Sequence, residues 1–122
     1  MKNSESKEMY LETILLLKNS GKRVRAIDVA TQLGYSRPSV SRAVNILKQG
    51  GYISVGSDGE LNLTEAGRAR AEDIYDRHKV ICDLLVMTGA ELSLAEENAC
   101  RIEHVISPEL FEVLKKYVKE HS

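Results

Sequence analysis

With 122 residues, the chain can form one compact domain or two small lobes, and a core of that size is often completed by dimerisation. Its 17 basic residues are matched by 18 acidic ones, so overall charge singles out no partner, and two cysteines are too few for a disulfide framework. There is no secretory signal and no apolar run of membrane-spanning length, so a reducing cytoplasm and no membrane partner are expected.

The charge is unevenly distributed. Residues 21–50 hold Lys22, Arg23, Arg25, Arg37, Arg42 and Lys48 against Asp28 alone, whereas residues 91–122 hold seven acidic and four basic residues. A front half that meets a polyanion and a back half that meets cations or a second copy of itself are the corresponding expectations.

Residues 4–19 read as an amphipathic helix, because Met9, Tyr10, Ile14 and Leu17 recur at helical spacing before Gly21. A shorter helix follows at about Ala26 to Leu33, with Ile27, Ala30 and Leu33 on its apolar face and Gly34 as a left-handed cap. Ser36-Arg37-Pro38-Ser39 opens a third helix with Ser36 as N-cap and Pro38 in the first turn, where its missing N–H costs nothing. Val40, Val44 and Leu47 face its core, leaving Arg37, Ser41, Arg42 and Asn45 outside. Helix, glycine turn, helix with a basic outer face is the helix-turn-helix pattern, whose second helix enters the major groove of double-stranded DNA. Ser36, Arg37, Pro38, Ser39 and Arg42 are the candidate DNA contacts.

Tyr52–Val55 and Glu60–Leu63 alternate in polarity around the turn cluster Gly56-Ser57-Asp58-Gly59, which predicts a β-hairpin placed as the wing of a winged helix. Asp58 and Glu60 make its tip acidic, so a structural role is expected rather than phosphate reading. Thr64 caps a long helix that runs to about Met87, stopped by Thr88-Gly89. His78 lies in its apolar stripe Ile74, His78, Ile81, Leu85 and is expected to point inward.

The next helix is expected to open at Ser93-Leu94-Ala95-Glu96, with Ser93 and Glu96 as a capping box. On that helix Cys100, Glu103 and His104 would share one face, bringing a thiolate, a carboxylate and an imidazole to one point. Each is a ligand type for a first-row divalent metal. Met9 and Glu12, three residues apart on the first helix, and the inward His78 are further candidate donors. Ser107-Pro108-Glu109 starts the last helix, whose stripe Leu110, Val113, Leu114, Tyr117 is apolar, and the rear helices together suggest a two-fold dimer interface.

These motifs resemble the iron- and manganese-dependent transcriptional repressors of the diphtheria-toxin-repressor type over nearly the whole chain. Glu8-Met9-Tyr10-Leu11-Glu12, Arg77-His78 and Ala99-Cys100-Arg101-Ile102-Glu103-His104-Val105 look like the three metal motifs of that family, and Ser36-Arg37-Pro38-Ser39-Val40-Ser41 like its recognition helix. The resemblance implies a mostly α-helical homodimer with a winged helix-turn-helix over residues 1–63 and a helical metal-binding and dimerisation domain over residues 64–122. It also implies metal-dependent repression at a DNA operator. Met9, Cys100, Glu103 and His104 match the iron-type ligands, and Glu12 and His78 match manganese-type ligands. At the second site of the iron-type members, Cys82 and Glu96 stand where a carboxylate and a histidine are expected, so they are additional candidates. The SH3-like domain of larger members is not found in the sequence.

Thioether and thiolate donors suit Fe²⁺, Co²⁺, Ni²⁺ or Zn²⁺ better than Mn²⁺, so Fe²⁺ is the expected metal and Mn²⁺ the alternative. A competing reading keeps the DNA-binding helices and replaces the metal with a reversible Cys82–Cys100 disulfide. No HExxH, Walker or nucleophile-elbow motif supports an enzyme.

Overall fold

The computed structural model describes residues 4–122, Ser4 and Glu5 as backbone only. Its elements run α1 (Ser4–Asn19), α2 (Ala26–Leu33), α3 (Arg37–Gln49), β1 (Ile53–Val55), β2 (Leu61–Leu63), α4 (Glu65–Met87), α5 (Leu92–Ile102) and α6 (Pro108–His121). They form two compact units that divide within α4, between Glu72 and Asp73. The fold is mostly α, as the periodicity predicts.

In the N-terminal unit α1 packs against α2, α3 and β2, which widens its buried arc to Tyr10, Leu11, Thr13, Ile14 and Leu15 and leaves Met9 and Leu17 half-buried. The arc expected from Met9, Tyr10, Ile14 and Leu17 is therefore too narrow. In α2 the core positions are Val29 and Ala30, while Ile27 is exposed. A two-turn helix held on one side by its neighbours buries adjacent positions, and Ile27 points away from them. Gly34 adopts a left-handed φ of 71°, and its N–H donates to the Ala30 carbonyl to close α2, a conformation other residues adopt at a cost. The Ser36 hydroxyl accepts from the Ser39 N–H at 3.3 Å, so the N-cap of α3 stands as expected, and Val40, Ala43 and Leu47 form its buried face.

The hairpin is antiparallel, pairing Ile53 with Leu63 and Val55 with Leu61. The Leu61 N–H also donates to the Val24 carbonyl at 2.7 Å, tying the hairpin to the segment before α2. Thr64 accepts from the Gly67 N–H and donates to the Gly51 carbonyl, anchoring α4 on the turn after α3. A Cβ at Gly67 would lie 1.9 Å from the Tyr52 carbonyl oxygen, so this close approach of α4 to the hairpin requires glycine.

The acidic wing is not left to face solvent alone. Arg23 donates to Asp58 at 2.6 Å and to Glu60 at 3.0 Å, Lys18 donates to Glu60 at 3.2 Å and to Asn62 at 2.7 Å, and Arg25 lies 3.9 Å from Asp58. With Lys22 paired to Asp28, the cations expected to serve a polyanion between residues 22 and 25 are already engaged. Arg37, Arg42 and Lys48, all on α3, have no ion pair among the described residues.

In the C-terminal unit Ile81, Cys82, Ala95 and Ala99 form the core, with Leu85, Ala90, Ile102 and Ile106 packed against it. Alanines at 95 and 99 let α5 approach α4 closely. The expected capping box at Ser93 and Glu96 is absent: α5 begins at Leu92 with Glu91 as N-cap, and Glu91 has no side-chain cap bond. Gly89 ends α4 and Ala90 packs on the core, so the chain re-enters helix at once and Ser93 falls inside the first turn. Ser107 caps α6 as expected, its hydroxyl accepting from the Leu110 N–H at 3.1 Å. Arg77 donates to the Ile106 carbonyl at 3.0 Å and its guanidinium lies over the Phe111 ring, fixing the turn between α5 and α6.

Hydrogen bonds from Arg23 and Lys18 hold the Glu60 carboxyl below the usual range, and the Glu60 backbone N–H, ahead of Arg23, does the same for Asp58. A depressed folded pKa adds stability above the unfolded value, near 4, that is lost as pH falls through the folded value. Thermal denaturation across pH should therefore show Glu60→Gln less stable than the parent at pH 7. The gap should narrow below about pH 4 and close at lower pH.

Candidate metal centre and nucleic-acid interface

His78 lies on α4 one turn after the fully buried Ile74 and one turn before the fully buried Ile81. That register carries its imidazole toward the α5 side of the C-terminal unit, but it is half-buried rather than enclosed by apolar groups. Cys100 is exposed in the last turns of α5. Glu103 is the C-cap of α5, and its side chain has no solvent exposure. His104 lies beyond the helix, in the turn, so the expectation that Cys100, Glu103 and His104 share one helical face holds only as far as Glu103. Pro108 and its cap at Ser107 end the helical path in this region, and that signal was available in the sequence.

The turn still brings the imidazole to the same carboxylate. Glu103 Oε2 accepts from His78 Nδ1 at 2.8 Å, and His104 Nε2 stands 3.3 Å from Glu103 Oε1 with its side chain almost wholly buried. A carboxylate removed from water is costly unless cations, hydrogen bonds or a metal compensate it. Here one is held between two imidazoles.

Ligand atoms of His78, Cys100 and Glu103 all lie within 4.8 Å of one another. Bonds of about 2.0 to 2.3 Å from nitrogen, oxygen and sulfur to a first-row ion require donor separations of this order, so the donor set fits a divalent cation. Met9 and Glu12 lie half-buried on α1 in the N-terminal unit. Cys82 and Glu96 are not part of the three-residue group. Cys82 is buried in the core, and burial, with the Glu96 and Asp83 carboxylates adding, pushes its thiol pKa up. Both as a metal ligand and as half of a redox pair, Cys82 would have to lose a proton that its surroundings retain.

On the other unit, α3 presents Arg37, Pro38, Ser41, Arg42 and Asn45 to solvent. Ser36 donates to Ser39 at 2.9 Å, and Arg42 reaches Ser39 at 3.4 Å, so the hydroxyls and guanidinium form one polar cluster at the start of the helix. Exposed Arg and Ser side chains on a helix rigidly capped at this end suit base edges and phosphates.

Residues 2–61 match the family described as iron dependent repressor, N-terminal DNA binding domain, and residues 64–122 match iron dependent repressor, metal binding and dimerisation domain. The chain is 34% identical to the diphtheria toxin repressor of Corynebacterium diphtheriae over 119 residues, which is 97% of this chain and 53% of that protein. It is 33% identical to an uncharacterized HTH-type transcriptional regulator of Methanocaldococcus jannaschii, covering 96% of this chain and 95% of that one. The structure of the manganese regulator SloR superposes with a TM-score of 0.80 at 25% identity, covering 93% of this chain and 53% of that one. The chain thus spans about half the length of several relatives that it matches.

If Glu103 holds a metal, Glu103→Gln should keep the buried hydrogen-bonding shape yet lose the thermal stabilisation that metal brings. For the parent at a hundredfold excess of Fe²⁺ over the dissociation constant, that gain is about 2.7 kcal/mol. Anaerobic thermal denaturation with and without Fe²⁺ measures it, and an undiminished shift in the variant would remove Glu103 from the ligand set.

Proposed function

Because the chain belongs to the iron-dependent repressor family, we propose that it is a repressor that binds double-stranded DNA as a homodimer when a divalent metal is bound. The carrying observation is the convergence of His78, Cys100 and the fully buried Glu103, in a chain whose α3 carries Arg37, Arg42 and Lys48 without an ion pair among the described residues. Among the described residues no helix is long and apolar enough to cross a membrane. A reducing cytoplasm, the proposed compartment, would keep the Cys100 thiol available.

His78, Cys100 and Glu103 are the proposed core of the ligand set, with His104 beside it. Met9 and Glu12 are added from the sequence motif alone. Nitrogen, sulfur and oxygen donors together favour Fe²⁺ as the physiological metal, with Mn²⁺ as the alternative and Zn²⁺, Co²⁺ or Ni²⁺ acceptable in vitro. When bound, the metal supplies positive charge that neutralises a carboxylate and a thiolate and holds their helices together. Glu103 is pre-positioned for it by His78 and His104, and Arg77 fixes the following turn through the Ile106 carbonyl.

Dimerisation is proposed through the C-terminal unit, where Leu92, Leu94, Val105, Leu110, Val113 and Tyr117 are exposed. Within the expected stripe of residues 74–85, Ile74 and Ile81 are buried in the chain's own packing, so α6 and the flanks of α5 carry this role. On the DNA side, Ser36, Arg37, Pro38, Ser39 and Arg42 are the proposed contacts, Pro38 offering an apolar surface to thymine methyls.

Selection from a random duplex library, run anaerobically with Fe²⁺ and again with chelator, tests the reading. It should enrich an inverted repeat with half-sites about 34 Å apart, only with metal. Arg42→Ala should lose about 1 to 3 kcal/mol and relax preference at one position of the selected site. Equal enrichment in chelator would contradict metal dependence.

A further inference from the structure

A cleft of about 520 Å³ opens in the N-terminal unit, and Tyr10, Tyr35, Ser6, Ser36, Ser39 and Arg42 line it. Its volume falls within the range of small-molecule sites. Among the described residues no acidic one lines it, and it opens at the N-terminal end of α3, where first-turn N–H groups favour an anion. Arg42 has no ion pair among the described residues, and its hydrogen bond to Ser39 is a long one at 3.4 Å. The end of the cleft near α3 is therefore cationic and rich in hydroxyl groups.

The wall contributed by α1 is different. Tyr10 is only 6% exposed. Burial, with Tyr35 adding and Arg42 opposing, pushes its pKa up, so it stays a protonated donor. Its ring meets the Tyr35 ring edge to face, with centroids 6.1 Å apart, and Tyr35 is itself exposed. Two aromatic rings beside an uncompensated guanidinium and three serines make a surface suited to a flat, monoanionic ligand.

We propose that this cleft binds a small single-ring aromatic carboxylate, its carboxylate on Arg42 and the serine hydroxyls and its ring against Tyr10 and Tyr35. The consequence, which rests on the DNA reading above, is that an occupied cleft withdraws Arg42 from the major groove and releases the operator. Tyr10 lies on α1 between Met9 and Glu12, so the ligand would also touch the helix that carries two of the proposed metal donors.

Calorimetric titration of the full chain with benzoate, without metal or DNA, tests the site itself. Benzoate should bind saturably at one site per chain. Cyclohexanecarboxylate, of the same charge and similar size, should bind at least about tenfold more weakly. Arg42→Met and Tyr35→Ala, both surface changes, should each weaken benzoate by about tenfold or more, and Tyr10→Phe should weaken it with the thermal midpoint unchanged. Absence of saturable benzoate binding would overturn the proposal, as would benzoate binding unaffected by Arg42→Met and Tyr35→Ala. Inorganic phosphate binding as tightly as benzoate, with the same dependence on Arg42, would also overturn it, since the cleft would then be a seat for a backbone phosphate. Because the titration contains neither DNA nor metal, its failure leaves the repressor reading intact, and failure of that reading leaves the titration intact.

Discussion

A carboxylate with no access to water, Glu103, ends α5 between the imidazoles of His78 and His104. Much of the C-terminal unit serves that placement. Ala95 and Ala99 allow α5 to lie close on α4, Ile74 and Ile81 set the face on which His78 emerges, and Arg77 holds the turn that brings His104 back. Burying an ionised group in this way costs several kcal/mol before compensation. An apolar side chain at the same position would pack without that cost, so the arrangement favours function over stability. A cation that joins the carboxylate, the thiol of Cys100 and the imidazole of His78 turns the cost into affinity.

The N-terminal unit distributes charge by the opposite logic. Lys18, Arg23 and Arg25 are paired with Asp58 and Glu60, so the wing is fastened rather than offered to a ligand, while Arg37 and Arg42 on α3 keep their charge for outside partners. Counting charges along the sequence places six cations in one window; only their partners show which of them are available. The uncovered apolar residues of α6 and the turn before it have a similar meaning for the C-terminal unit, since a monomer gains nothing from exposing Val105, Leu110 and Val113 together.

Much of this was legible in the residues. Helix periods, the glycine at 34, the Ser36, Thr64 and Ser107 caps and the alternating hairpin are local signals, and local physics decides them. The errors arose where tertiary packing overrides a local rule. Ser93 with Glu96 is a good capping sequence, but Ala90 is drawn into the core and starts the helix earlier. Ile27 has the spacing of a core residue but no neighbour on its side. The helical-face reading of Cys100, Glu103 and His104 misplaces the end of their helix, which closes at Ile102. The cleft beside Tyr10 left no mark in the sequence, because its walls come from α1 and α3, distant in the chain, and no motif joins them.

The central claim, that Cys100 together with His78 and Glu103 holds a divalent cation, is tested most directly by anaerobic titration with Co²⁺ as a spectroscopic substitute. Thiolate coordination gives a near-ultraviolet charge-transfer band. The band should grow to saturation at a fixed stoichiometry in the parent and in Cys82→Ser, and should be absent in Cys100→Ser. A band that survives Cys100→Ser and vanishes in Cys82→Ser would contradict the account, placing the metal on the core thiol instead.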